Sequence, residues 1–303
     1  MKEIHRILNE TLKTLTDFQA ATVDSVITNF IEKNQNRVLI ADEVGLGKTI
    51  VAKGVIAKLL MKHLENNIDG KSFRVNYICS NQTLARENIK KLSVFPSKFH
   101  SKYVSEPSYS RLLEIAVEDK QKPKDDGKVL EVCALTPATS FNLTWGSGNW
   151  IERRILYFAL IEHERLNNYK NILYHYFREG VNEKNWKKHI EDFEDNSTLN
   201  FEIVQQFYKN LEIEISPKDK KYCEIENESS LLEVLETYCT DSKKVKHPFR
   251  MRTRLRIQMA KACSHHLNAD LFILDEFQRF KSLLETEDES ENENNVEERI
   301  EAF

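Results

Sequence analysis

Glycine is scarce in this 303-residue chain, with eight in all and none beyond Gly180. Two of the eight flank Leu46 and two flank Ser147. No run of 18 or more apolar residues occurs, which argues against a membrane-spanning helix. The N-terminus, MKEIHRILNETLKTL, mixes charges into its apolar positions and lacks the continuous apolar core of a signal peptide. Cysteine is sparse and unpaired in pattern: five residues, an odd number, with no CxxC. That excludes a dithiol redox motif and predicts reduced thiols in a cytoplasmic protein. A zinc site with His265 and His266 is not called for by any cysteine spacing.

An excess of positive charge is also missing, but only on average. The net charge is −4, yet residues 285–303 carry nine acids and one arginine. The rest of the chain is therefore about +4, which is compatible with a nucleic-acid partner without demanding one.

What is present is an alternation of strand and helix patterns. Residues 2–33 read as helical, with Asp17 as a possible cap for a helix over Phe18–Ile31. Arg37–Ala41 reads as a short apolar strand and Thr49–Leu64 as an amphipathic helix. Phe73–Cys79 is strand-like, Gln82–Leu92 helical, and Ser97–Ser110 loop-like. Val129–Leu135 is rich in apolar and β-branched residues and reads as a strand. From Trp150 to Tyr238 the chain turns helical and aromatic. Met251–Leu267 is a further helix, followed by a strand at Leu271–Leu274. Four strands interleaved with helices predict an α/β fold with a mainly parallel central sheet, and the middle block reads as a helical insertion.

Two stretches carry chemistry. In RVLIADEVGLGKTIVAKGVIAKLL (37–60), a strand, a glycine-bearing loop and a helix follow one another. Successive N–H groups before a helix N-terminus form an anion site, and Gly45 and Gly47 let the backbone wrap phosphate oxygens closely. Lys48 supplies a point charge for the β- and γ-phosphates, and Thr49 a hydroxyl for Mg²⁺. Asp42 stands where the strict phosphate-loop pattern has its first glycine. The second stretch is LFILDEFQRF (271–280), an apolar strand ending in two carboxylates. Ligands of open α/β sheets bind at that end. Asp275 would hold Mg²⁺, and Glu276 would orient and deprotonate the attacking water.

Together the two stretches resemble the ATP-binding motifs of superfamily 2 helicases of the Swi/Snf-like, DEAD/DEAH-box kind. In that group the loop reads Asp-Glu-x-Gly-x-Gly-Lys-Thr, so Asp42 is ordinary there, and Gln278 stands where DEAH members have His. Gln19, in LTDFQAATVDSV, resembles the glutamine that reads the adenine edge. YICSNQTLARENIKKL (77–92) and ALTPATSF (134–141) resemble the motifs that face nucleic acid.

The resemblance implies a RecA-like P-loop NTPase lobe using ATP and Mg²⁺. Its nucleotide contacts would be Gln19, Gly45, Leu46, Gly47, Lys48 and Thr49. Lys48 and Glu276 would be catalytic, Thr49 and Asp275 would hold the metal, and Gln278 would couple hydrolysis to movement. Asn81, Thr136, Thr139 and Ser140 would meet nucleic acid, with DNA expected over RNA, and no membrane partner is implied.

The expected organisation is residues 1–149 as the first part of the lobe and 150–245 as a helical insertion. Residues 246–284 would complete the lobe and 285–303 form an acidic tail. No second lobe follows the acidic box before residue 303. By itself the chain is therefore expected to bind ATP and hydrolyse it weakly. It would act as a DNA helicase or translocase only with a second lobe on another chain. The alternative is a nucleotide-dependent binding or regulatory module without motor activity. A cationic run, KKVKHPFRMRTRLR (243–256), could touch nucleic acid or an acidic ligand, but a solvated helix face or ion pairs with the many nearby acids is the stronger expectation.

Overall fold

The computed structural model describes residues 2–41, 47–66, 70–107, 111–121, 127–136, 148–216, 220–221, 229–267 and 269–275. Among these, the strands are β1 (Phe73–Ile78), β2 (Val104–Ser105), β3 (Val117–Asp119), β4 (Leu130–Leu135), β5 (Ser197–Leu199) and β6 (Leu271–Leu274). The chain divides into two compact units.

The first unit comprises Met1–Ser108, Lys124–Ala138 and Asn268–Lys281. It holds a parallel sheet in the order β2-β4-β1-β6. Helices α1 (Lys2–Leu12), α2 (Asp17–Ile31), α3 (Lys48–Asn66), α4 (Gln82–Leu92) and α5 (Ser97–Tyr103) belong to the same unit. Val75 and Tyr77 of β1, Leu130 and Val132 of β4, and Ile56 and Leu60 of α3 share one buried core with Ile7 of α1. Central parallel strands are covered on both faces, which fits the largely apolar β4, while β1 places Arg74 and the buried Asn76 between its apolar residues.

Two local expectations are corrected here. The cap of α2 is Thr16, one residue before Asp17; its hydroxyl accepts the Gln19 N–H at 3.3 Å, and the Gln19 side chain accepts the Thr16 N–H at 3.2 Å. A hydroxyl and a glutamine three residues on satisfy two otherwise orphaned donors, which a lone carboxylate at Asp17 does not do. Residues 97–105, expected as loop, form α5 and the short edge strand β2.

Arg37–Ala41 has the alternation of a strand but not its ladder. Val38 and Ile40 pack against the core while Leu39 is 69% exposed, yet no described strand pairs with them. Periodicity reports which side chains turn inward; a strand also needs a neighbour for its backbone groups.

The second unit comprises Tyr109–Pro123, Thr139–Leu267 and Ser282–Phe303. Its helices are α6 (Trp150–Ile161), α7 (Lys170–Arg178), α8 (Glu183–Asn196), α9 (Phe201–Glu212), α10 (Leu231–Thr240) and α11 (Pro248–Ser264), with β3 and β5 paired antiparallel. The division places α11 in this helical unit, whereas the sequence reading assigned 246–284 to the sheet-bearing lobe.

The interior of the helical unit explains the position of α11. Trp186, Phe177, Phe207 and Leu255 are fully buried. Arg256 and Glu152 are buried as an ion pair at 2.9 Å, each side chain 2% exposed. Arg252 pairs with Glu179 and donates to the Tyr176 carbonyl at 2.7 Å. For these two arginines of the cationic run, the ion-pair alternative holds and the solvated helix face is corrected: both are part of the interior. A charge taken out of water requires such a partner.

Candidate nucleotide site

The site is built on the C-terminal ends of β1, β4 and β6. Register sets Ile78 opposite both Leu135 and Leu274, so the residues that follow those strands emerge at one edge of the sheet. Asn81, Thr136 and Asp275 all do so. On open α/β sheets this edge is where ligands bind.

Helix α3 begins at Lys48, directly after Gly47. The Gly47 carbonyl accepts the first helical N–H groups, from Ile50 at 2.7 Å and Val51 at 3.0 Å. Gly47 has φ +84°, a left-handed conformation that a side chain strains. A Cβ there would also lie 2.7 Å from Nε2 of Gln19. The glycine is thus required twice, by its backbone and by the side chain laid against it.

What brings Gln19 there is the packing of α2 on α3. Gly54 lies two helical turns after Gly47, and Val23 one turn after Gln19. A Cβ at Gly54 would lie 2.7 Å from Val23 Cγ2 and 3.0 Å from Leu15 Cδ1. The bare backbone at Gly54 admits Val23 at close range, and the ion pair of Asp24 with Lys58 ties the same two helices. Sequence reading singled out Gln19 but not this support.

Lys48 and Thr49 are half-buried at the N-terminal end of α3. Burial holds the pKa of Lys53, one turn further along, below its ordinary value. Gly45, Leu46, Thr139, Ser140, Glu276 and Gln278 lie outside the described residues.

Asp275 is held at both the backbone and the side chain. Its N–H donates to the Ile78 carbonyl at 2.8 Å, which extends the β1–β6 ladder past Leu274. Its Oδ2 accepts the Tyr77 hydroxyl at 2.5 Å and Asn88 Nδ2 at 3.3 Å, while Asn88 Nδ2 also donates to the Tyr77 oxygen at 2.8 Å. Burial, reinforced by the Asp275 carboxylate, raises the Tyr77 pKa, so the phenol stays protonated and remains a donor. The other end of β6 is anchored the same way: Asp270 Oδ2 accepts the Arg74 N–H at 2.7 Å.

Sequence reading missed Tyr77 and Asn88. The usable signal was Asn88 itself, a carboxamide on the stripe of α4 that also carries the buried Ala85 and Leu92. A polar group on such a stripe needs partners.

Asn81 is exposed and caps α4, its side chain accepting the Thr83 N–H at 2.7 Å. Thr136 is only 3% exposed.

A parallel sheet with a Gly-Lys-Thr turn opening one helix, a glutamine laid against that turn and an aspartate at a strand end define the sheet-bearing unit as a helicase-like RecA lobe of α/β, P-loop architecture. Residues 12–134 match the family model of the type III restriction enzyme, res subunit, a stretch that includes Gln19, Lys48, Thr49 and Asn81. No curated protein and no solved structure matches the chain. Among the described residues no helix is long and apolar enough to cross a membrane.

Proposed function

We propose that the chain is the ATP-binding lobe of a DNA helicase or translocase of the Swi/Snf-like, DEAD/DEAH-box kind. It would hydrolyse ATP weakly alone and couple hydrolysis to movement along DNA when a second lobe closes over the nucleotide. The observation that carries this reading is Gln19 seated against Gly47 at the head of α3, which sets a carboxamide beside a phosphate-binding turn. A carboxamide donates and accepts at once, as the adenine edge requires. Its oxygen already receives the Thr16 N–H, so the orientation of the amide is set before ligand arrives.

In this reading Gly45, Leu46 and Gly47 wrap the phosphates and Lys48 neutralises them. Thr49 and Asp275 would hold Mg²⁺. Their donors are hydroxyl and carboxylate oxygens, which suit a hard cation. Among the described residues no group of three or more His, Cys, Asp or Glu gathers to form a cage. Bound by Thr49 and Asp275, Mg²⁺ would offset charge on the transferring phosphoryl group. Glu276, one residue beyond Asp275, would position the attacking water and take its proton. Asn81, Thr136, Thr139 and Ser140 are proposed to line the polynucleotide path, with Thr136 acting from beneath the surface. Gln278 would relay the state of the nucleotide.

The test is nucleotide binding and DNA-stimulated hydrolysis with and without Lys48→Ala. Loss of binding in the variant and stimulation by double-stranded DNA above RNA are expected. Equal nucleotide affinity in wild type and variant would sink the site. Intact affinity without turnover, even with DNA and a second lobe supplied, would favour a regulatory module.

A further inference from the structure

Asn88 is the polar member of a buried stripe, and the amide reaches out of α4 to the sheet. The far side of α4 carries Arg86 and Lys90 with Glu87 beside them, and Lys91 lies at its margin, all exposed, so the face is net positive. A cationic helix face of this kind meets polynucleotide phosphates. Between the two lies one short helix, held at its start by the Asn81 cap.

The connection from α4 to Asp275 is a chain of donors. Asn88 donates to the Tyr77 oxygen, the Tyr77 hydroxyl donates to Asp275 Oδ2, and Asn88 donates to Oδ2 as well. Such a chain polarises along its length and fixes the carboxylate rotamer. Both side-chain hydrogen bonds described for Asp275 end on Oδ2, which leaves Oδ1 as the oxygen to face a cation or its water. Groups that orient a ligating carboxylate in this way tune metal affinity without touching the metal.

We propose that Tyr77 and Asn88 are positioning residues for Asp275: they commit one carboxylate oxygen to the protein, present the other to a hydrated divalent cation, and so link the polynucleotide-facing helix α4 to the nucleotide site. This rests on the reading of the site as a Mg²⁺-nucleotide lobe. A shift of α4 on a polynucleotide moves Asn88, and Asn88 moves the carboxylate. By reciprocity, a cation on Asp275 then changes affinity for the polynucleotide by the same factor.

The test uses the full chain and a fluorescent ATP analogue, titrated with Mg²⁺ with and without duplex DNA. Tyr77→Phe and Asn88→Ala are each expected to raise the half-saturating Mg²⁺ concentration about three- to tenfold. Affinity in EDTA should stay as in wild type, and the factor by which DNA tightens Mg²⁺-nucleotide binding should shrink towards one. Asn88→Asp keeps the volume but sets a second carboxylate against Asp275, and should raise the half-saturating concentration further. Wild-type Mg²⁺ dependence in all three variants overturns the proposal. So does equal weakening with and without Mg²⁺, the mark of a purely structural staple. Failure of the underlying reading looks different: wild type itself would bind nucleotide no better than Lys48→Ala.

Discussion

Gln19 Nε2 occupies the space where a Cβ on Gly47 would fall, 2.7 Å from that position. The consequence is that Gly47 cannot be replaced without moving either the turn or the glutamine. Gly47→Ala is expected to strain the turn by about 1–3 kcal/mol from its φ alone. The strain is relieved by displacing the loop, so nucleotide affinity should fall. Adding Gln19→Ala opens the space but leaves the backbone conformation. Isothermal titration should therefore show partial recovery at most, and full recovery in the double variant would refute the backbone part of the argument.

Gly54 tests the support behind that contact. In an open helix, Gly→Ala stabilises by about 1 kcal/mol. Here the new methyl would meet Val23 and Leu15 at 2.7 and 3.0 Å. Overpacking costs about 1–3 kcal/mol. Gly54→Ala should thus lower stability and weaken nucleotide binding two turns away, and Val23→Ala should restore part of both. A Gly54→Ala protein with a higher denaturation midpoint and unchanged affinity would show that the helices are not packed so closely there.

The buried Glu152–Arg256 pair should dominate mutational sensitivity in the helical unit. Removing one partner leaves an uncompensated buried charge at a cost of about 3–5 kcal/mol. Glu152→Met and Arg256→Met are each expected to be strongly destabilised, and the double variant less so than their sum. Gly148→Ala should behave similarly, since its Cβ would lie 2.6 Å from both Cδ and Nε of Arg256 at φ +81°. Urea denaturation of the set measures the coupling, and strict additivity would count against it.

His163 predicts an acid limb. It is 5% exposed, and its Nδ1 accepts the Arg165 N–H at 3.2 Å. Burial lowers its pKa below the ordinary 6.5, while Glu164 and Glu212 pull it partly back. A depressed pKa means the unfolded chain takes up the proton first as pH falls. The contribution is complete above about pH 6.5 and is lost progressively below it. Melting curves between pH 8 and 5 should show this slope, and His163→Gln should flatten it. An unchanged slope in the variant would assign the acid limb elsewhere.

The thiols of Cys133, Cys239 and Cys263 are pushed up to about 12, in each case chiefly by burial. Only the thiolate alkylates readily. These three should resist iodoacetamide at pH 8 in the folded protein and react on unfolding, as peptide mass spectrometry would record. Rapid native labelling would contradict the packing around them.

The extent to which the sequence foretold this depended on the kind of interaction involved. Apolar patterning placed α4 and β6 at their observed bounds, because burial on one face or two leaves a period that can be counted. The same patterning misread Arg37–Ala41, whose side chains alternate correctly but whose backbone lacks a described partner. Lys48, Thr49 and Asp275 could be singled out as candidates because the chemistry proposed for them restricts residue type at fixed local spacing, and Gln19 only through the family resemblance. Tyr77 and Asn88 were not, since their partner lies across the sheet at a separation set by the fold. The interior role of Arg252 and Arg256 was partly visible as a demand for acids, but not which acids.

The Tyr77–Asp275 contact spans 198 residues of sequence. Everything between β1 and β6, including helices α6 to α11, must be accommodated before that pair can form. Closing so long a loop is costly in chain entropy, and such long-range parallel pairing forms slowly. We expect β1 and β4, the closer pair in sequence, to assemble first around α3, and β6 to dock afterwards. A folding intermediate would then already own Gly47, Lys48 and Thr49 yet lack its aspartate. Phosphate recognition would precede metal recognition in time, and the carboxylate would act as the last piece.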